Sequence, residues 1–171
     1  MIILMKKLHC VFLTIASFIM ASSASASAYY VSLNGAYQAD IRGNGDNQMV
    51  VVVDSATGKT LSKKEISMQA LDWSHGIPLK NVKIQWSPDS KFFVVTGTQG
   101  GERVMRVISG SNNHPFEKIT NLDASASPKL VDLVIGSGND VIATVKDSSG
   151  NLSHIFWTVK PDGDLELTGA L

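Results

Sequence analysis

Residues 82–95 read VKIQWSPDSKFFVV: an alternating run from Val82 to Trp86, a turn at Ser87-Pro88-Asp89-Ser90, and an apolar block Phe92-Phe93-Val94-Val95. Alternation puts successive side chains on opposite faces of a strand, and β-branched and aromatic residues suit a pleated surface. Proline presets the backbone for a turn and aspartate bonds to its own backbone, so the stretch predicts a hairpin. A block with no polar residue fits a central strand covered on both faces, and the run Val50–Val53 is a second one.

The same order of parts recurs on either side. YVSLNGAYQADI, a Gly-rich link and MVVVVDSATGKTL make one copy. The quoted hairpin, the link TGTQGGE and RVMRVISGSNNHPFEKI make a second, and LVDLVIGSGNDVIATV, KDSSGN and LSHIFWTVKPDGDLEL a third. Each copy runs strand, turn, strand, turn, strand, turn, short strand, at a period of roughly 50 residues. Asn34-Gly35, Pro88–Ser90 and Ser137–Asn139 fill the first turn; Asp54–Gly58, Ser109–Asn113 and Pro161–Gly163 fill the third. Residues 29–171 therefore read as a single all-β domain, an antiparallel meander of about 10–12 short strands with repeats at 29–66, 82–119 and 130–168. In Lys63–Leu71 the spacing of Ile66, Met68 and Ala70 fits period two, which predicts a strand over Ile66–Trp73.

Two architectures suit this pattern: propeller-blade-like repeats, or a compact β-sandwich or barrel. Three blades are fewer than the four to eight of closed propellers. The propeller reading therefore calls for a second copy, as a homodimer about a two-fold axis, or for a partner over the open ends.

Upstream, Lys6 and Lys7 precede the apolar run Leu8–Met20, and small residues lead to Ala26-Ser27-Ala28. This predicts a signal peptide over residues 1–28, helical in its apolar part and cut between Ala28 and Tyr29. The apolar run is about 13 residues long, short of the roughly 20 that span a bilayer. Met5 is a plausible start, since MKKLHCVFLTIASF is the more usual signal opening. Cys10 lies inside the signal, and KLHC lacks the small residues that precede a lipid-modified cysteine. The mature chain would hold together with no disulfide and no membrane attachment, in the periplasm or, as the alternative, secreted. Without Lys6 and Lys7, 13 basic side chains face 15 acidic ones, which gives nucleic acid no electrostatic footprint.

The stretch Trp86-Ser87-Pro88-Asp89-Ser90-Lys91 resembles the blade opening of TolB-like β-propellers, Trp-Ser-Pro-Asp-Gly-Lys followed by apolar residues. The resemblance covers residues 82–119; Ser90 stands where the family usually has Gly, and the other two copies match by spacing only. It implies structural roles for this motif: the Trp86 ring packs between blades, and Ser87, Pro88 and Asp89 set the turn. It also implies a domain that binds proteins, since peptidase activity in such proteins belongs to separate domains.

Catalytic and metal patterns are weak. His75, His114 and His154 fall at different places within their repeats, so they would not converge on one ion. No Gly-x-Ser-x-Gly elbow occurs, and adjacent residues of Asp72-Trp73-Ser74-His75 would point to opposite faces of a strand. Most aspartates sit in turns, where backbone bonding explains them; Asp132 reads as a solvent-face residue. No phosphate-cradling glycine signature or dedicated calcium loop occurs, so no cofactor or metal is expected. Trp86 and Trp157 read as core, whereas Trp73, Ser74 and His75, in the longest irregular link, form a candidate binding loop. The expectation is a non-catalytic module that binds an envelope or secreted protein. A cell-envelope hydrolase and a small exported inhibitor of a hydrolase are the alternatives.

Overall fold

In the computed structural model the described residues are 30–43, 47–66, 79–122 and 129–171. The expected signal helix, its Ala28–Tyr29 junction and the loop Trp73-Ser74-His75 lie outside them. Twelve strands form: β1 (Tyr30–Val31), β2 (Tyr37–Arg42), β3 (Met49–Asp54), β4 (Thr60–Glu65), β5 (Lys80–Trp86), β6 (Phe93–Gln99), β7 (Glu102–Ser109), β8 (Lys118–Asn121), β9 (Lys129–Ile135), β10 (Asp140–Lys146), β11 (Leu152–Val159) and β12 (Leu165–Ala170). No α-helix occurs among the described residues.

The strands make three separate four-stranded antiparallel meanders: β1–β4 (sheet 1), β5–β8 (sheet 2) and β9–β12 (sheet 3). A barrel needs one closed ladder and a two-sheet sandwich needs two faces. Three unconnected ladders form neither, so of the two architectures only the blade-like one describes this arrangement. The strand expected over Ile66–Trp73 lies, apart from Ile66, outside the described residues, whereas the short strand expected after the third turn of the first copy forms over Thr60–Glu65. The turn after Asp54 is tight, with Gly58 N donating to Asp54 O at 2.8 Å, so pairing resumes at once along Thr60–Glu65. Ile66 follows that strand as a fully buried residue, and residues 67–73 lie outside the described set.

The turns explain the hairpins. Ser87 Oγ donates to Asp89 Oδ1 at 2.7 Å and accepts from Phe92 N at 3.1 Å, while Lys91 N donates to the same Asp89 oxygen at 3.1 Å. In sheet 1, Ser32 Oγ donates to Asn34 Oδ1 at 2.8 Å and accepts from Tyr37 N at 3.0 Å, and Ala36 N donates to Asn34 Oδ1 at 3.0 Å. The SLNGAY and SPDSKF turns are thus one structure written in two sequences, Ser-x-Asx followed by a residue in the left-handed region: Gly35 at φ 72° and Ser90 at φ 61°.

Sheet 2 lies between the other two. Phe93, Val95, Ile108, Trp86 and Phe116 pack with Ala39, Val50 and Val52 of sheet 1. Phe92, Val94, Met105 and Val107 pack with Leu130, Val141, Ala143 and Val159 of sheet 3. Phe92 to Val95 thus alternate between two cores and are all fully buried, which is why that block contains no polar residue. Four rings (Tyr37, Trp86, Phe93, Phe116) cluster in the first core with centroids 4.6–6.2 Å apart. Each fully buried large apolar side chain contributes about 1.5–3 kcal/mol.

Hydrogen bonds lock the stack. Trp86 Nε1 donates to Tyr30 O at 3.0 Å, and Ser62 Oγ to Phe116 O at 2.5 Å, joining sheets 1 and 2. Ser109 Oγ donates to Gly163 O at 2.5 Å, joining sheets 2 and 3.

Candidate binding surfaces

Stacking three meanders creates three kinds of surface: the turn end, the wedges between first strands, and the two outward faces.

At the turn end, Tyr37 of sheet 1, Lys91 and Phe116 of sheet 2, and Asn139 and Lys160 of sheet 3 line a cleft of about 210 Å³. Its back wall depends on a backbone contact: a Cβ on Gly163 would stand 2.7 Å from Gly110 Cα, so only glycine lets the two turns meet. Both lysines are engaged with acids, Lys91 with Asp89 at 3.9 Å and Lys160 with Glu166 at 3.2 Å. The cleft is smaller than the roughly 300–1,000 Å³ of small-molecule sites and fits a side chain at most.

The second space is a wedge of about 310 Å³ between sheets 2 and 3, where β5 and β9 diverge. Since Ile84 and Trp86 face sheet 1, Lys83 and Gln85 face sheet 3, joined by Thr96 and Arg103. Leu130 and Leu133 form the opposite wall. Strand β9 bulges between its Thr144 and Val145 pairings, leaving Val131 unpaired with β10, and Arg103 Nη1 donates to the Val131 carbonyl. Asp132 also borders the wedge, but its register pairs it with Thr144 on the other side of β9. Neither Lys83 nor Arg103 has an ion-pair partner among the described residues.

The outward faces differ. On sheet 1, the rows Gln38–Val53, Asp40–Val51 and Arg42–Met49 look away from sheet 2. In sheet 2 the corresponding rows are Phe93–Ile108, Val95–Arg106 and Gly97–Val104. The terminal sheet therefore carries a polar row along β2 (Gln38, Asp40, Arg42) where β6 is apolar, while its β3 row (Met49, Val51, Val53) stays apolar. Asp40, 4 % exposed, is held by Arg42 Nε at 2.9 Å. On sheet 3 the outward row is Val134–Ile142–Phe156, with Ile142 and Phe156 half-buried and Val134 52 % exposed. Thr158 Oγ1 donates to Asp140 at 2.8 Å and Thr144 Oγ1 lies 3.1 Å from His154 Nδ1 beside it.

The other residues singled out by the sequence are dispersed. His114 is exposed, 3.7 Å from Glu117, and His154 is exposed on sheet 3, so these two do not meet. No group of three His, Cys, Asp or Glu suited to a metal occurs among the described residues. Trp86 is buried and Trp157 half-buried; Pro88 and Asp89 sit exposed at the hairpin tip, and Asp132 is exposed. Perturbed acids are confined to turns. The Thr57 hydroxyl and backbone bonds hold the Asp54 carboxyl below its usual range, and the Asn151 side chain and backbone do the same for Asp147. The bond to Asp164, 2.6 Å long, raises the Lys118 ammonium. The wedge residues Lys83 and Arg103 escaped sequence reading because nothing local links positions in two separate strands of one sheet.

The sequence matches no protein-family profile and no curated protein. Among solved structures, TolB from Acinetobacter baumannii is similar over 83 % of this chain and 32 % of its own, at 13 % identity and TM-score 0.45. A protein assigned as TolB from Agrobacterium tumefaciens is similar over 85 % of this chain and 50 % of its own, at 10 % identity and TM-score 0.42. Hydrazine synthase from Kuenenia stuttgartiensis is similar over 75 % and 38 %, at 14 % identity and TM-score 0.43. Two of the three are thus TolB proteins, the family whose blade opening residues 86–91 resemble. This chain spans between a third and a half of the length of these structures.

Proposed function

We propose that the chain is an exported, non-catalytic module that works by binding another protein through the outward face of sheet 3. The observation that carries this reading is the row Val134–Ile142–Phe156. Its sheet-2 counterparts at the joint with sheet 3, Val94 and Val107, are fully buried. Ile142 and Phe156 occupy those joint positions and remain apolar with no sheet over them among the described residues, which suits a docking face. The signal-like residues 1–28 support export, with the periplasm as the expected compartment and secretion as the alternative.

The test is capture from envelope extract with the wild-type chain and with Val134→Glu, each checked for folding by its melting curve. One stoichiometric protein retained by the wild type and lost from the variant supports the reading; equal capture by both overturns the assignment of this face. Mass in solution identifies the occupant, since a doubled mass abolished by Val134→Glu makes it a second copy. Turnover on a hydrolase panel, lost on Asp72→Asn, would overturn the non-catalytic reading altogether.

A further inference from the structure

We propose that the wedge between sheets 2 and 3 is a second binding site, which takes a carboxylate side chain presented on an extended segment of another polypeptide. Two cations, Lys83 and Arg103, face this space, and no described acid is paired with either. Arg103 spends one N–H on the Val131 carbonyl, which leaves guanidinium donors for a carboxylate, and Lys83 adds three more. Gln85 and Thr96 supply neutral hydrogen-bonding groups beside the cations, and Leu130 and Leu133 give the facing wall an apolar surface.

The backbone around the wedge favours a peptide over a free small acid. Among the described strands β5 and β9 are edges of their sheets, so N–H and C=O groups without a ladder partner there border the opening. A strand laid along such an edge gains main-chain hydrogen bonds, and its alternate side chains enter whatever pocket lies beneath. Here that pocket sets two cations against the single carboxylate of Asp132, and its volume of about 310 Å³, at the lower end of the small-molecule range, admits an acidic side chain. Glu102 and Lys129, paired at 2.9 Å across the same end of the two sheets, are a neighbouring ion pair that neutralises itself and does not offset Lys83 or Arg103.

The probe is the capped peptide acetyl-Val-Glu-Val-Glu-Val-amide, titrated into the isotopically labelled protein and followed by amide chemical shifts. The expected result is saturable shifts at Thr96, Leu130 and Leu133, weakening as salt rises. The glutamine counterpart of the peptide is expected to bind about tenfold more weakly or not at all. Lys83 is exposed, so Lys83→Gln should leave the melting temperature unchanged while weakening the glutamate peptide about tenfold, and Lys83→Glu should abolish the shifts. Free glutarate producing the same shifts at the same concentration would overturn the extended-segment part of the proposal. Equal affinity for the two peptides, or no effect of Lys83→Gln, would overturn the site. Because Lys83 faces the wedge while Val134 and Phe156 lie on the opposite face of sheet 3, capture by that outward face should survive Lys83→Gln, so the two proposals fail separately.

Discussion

Sheets 2 and 3 share one hydrogen-bonded plan and differ in what covers them. Strand β6 with the preceding Phe92 presents Phe92 and Val94 to one core and Phe93 and Val95 to the other, and all four are fully buried. The equivalent strand β10 presents Val141, Ala143 and Val145 to sheet 2, while Ile142 and Thr144 look outward and are half-buried. The same ladder is therefore fully buried over Phe92–Val95 in one sheet and alternates between buried and half-buried positions in the other, where only Thr144 interrupts the apolar run Val141–Val145. Cover, rather than pairing, sets how deeply the two faces of a strand are buried.

The sharpest way to break that comparison is to remove one ring from each sheet. Phe93 touches Trp86 at a centroid distance of 4.6 Å and Phe116 at 5.8 Å, with no solvent exposure. Phe93→Ala should cost about 3–5 kcal/mol, transfer and cavity terms together. Phe156 lies on the uncovered side of sheet 3, where truncation leaves no enclosed void, so Phe156→Ala should cost about 1 kcal/mol. Urea denaturation of both variants decides it. Equal losses would mean that the outward face of sheet 3 is as enclosed as the core.

That contrast also marks what was legible in the sequence. The hairpin at 82–95 is specified locally, because the bonds of Ser87 and Asp89 in its turn close within five residues. Its relative at Ser32–Tyr37 was legible as a turn through Asn34-Gly35, although the shared Ser-x-Asx bonding emerges only from the geometry. The three-sheet stack was not legible, because it rests on contacts such as Ser62 to Phe116 and Ser109 to Gly163, each 54 residues apart. Period-two alternation fits a sandwich as well as a stack of blades, so the pattern left both open. The last strand of sheet 1 was legible as the short strand after the Asp54 turn, although its reach to Glu65 emerges only from its pairing with β3. The wedge was invisible for a related reason. Lys83 and Arg103 are ordinary polar positions of alternating strands until a bulge in β9 opens space opposite them.

A mid-sized effect sharpens the comparison at the joint between the two sheets. Gly163 adopts φ 90°, and a Cβ there would stand 2.7 Å from the Gly110 backbone. Gly163→Ala combines left-handed strain with a clash that no side-chain rotation relieves, and should cost about 2–4 kcal/mol. Gly58, at φ 69° with open space around it, isolates the strain alone, and Gly58→Ala should cost about 1 kcal/mol. Thermal melts of the pair measure the difference. If the two shifts match, the sheet-to-sheet backbone contact is not a constraint.

The smallest expected effect lies in a turn of sheet 1 that no neighbouring sheet covers. Asp54 Oδ1 accepts from Thr57 N at 2.8 Å, Thr57 Oγ1 at 2.8 Å and Ala56 N at 3.1 Å, and these bonds favour the ionised form. Its folded pKa is therefore depressed relative to the unfolded chain. The stability it contributes is fully present above the ordinary carboxylate value of about 4 and is lost as pH falls through the lower folded value. Asp147 and Asp162 carry the same sign. The raised Lys118 carries the opposite one: its contribution is full below the ordinary lysine value and fades only as strongly alkaline pH passes the folded one. Asp54→Asn keeps an acceptor at the same place and removes only the charge. The gap in urea midpoint between wild type and this variant should therefore be small at neutral pH and close below about pH 4. A gap that persists into acid would show that shape rather than charge holds the turn, making it independent of ionisation like the buried joints.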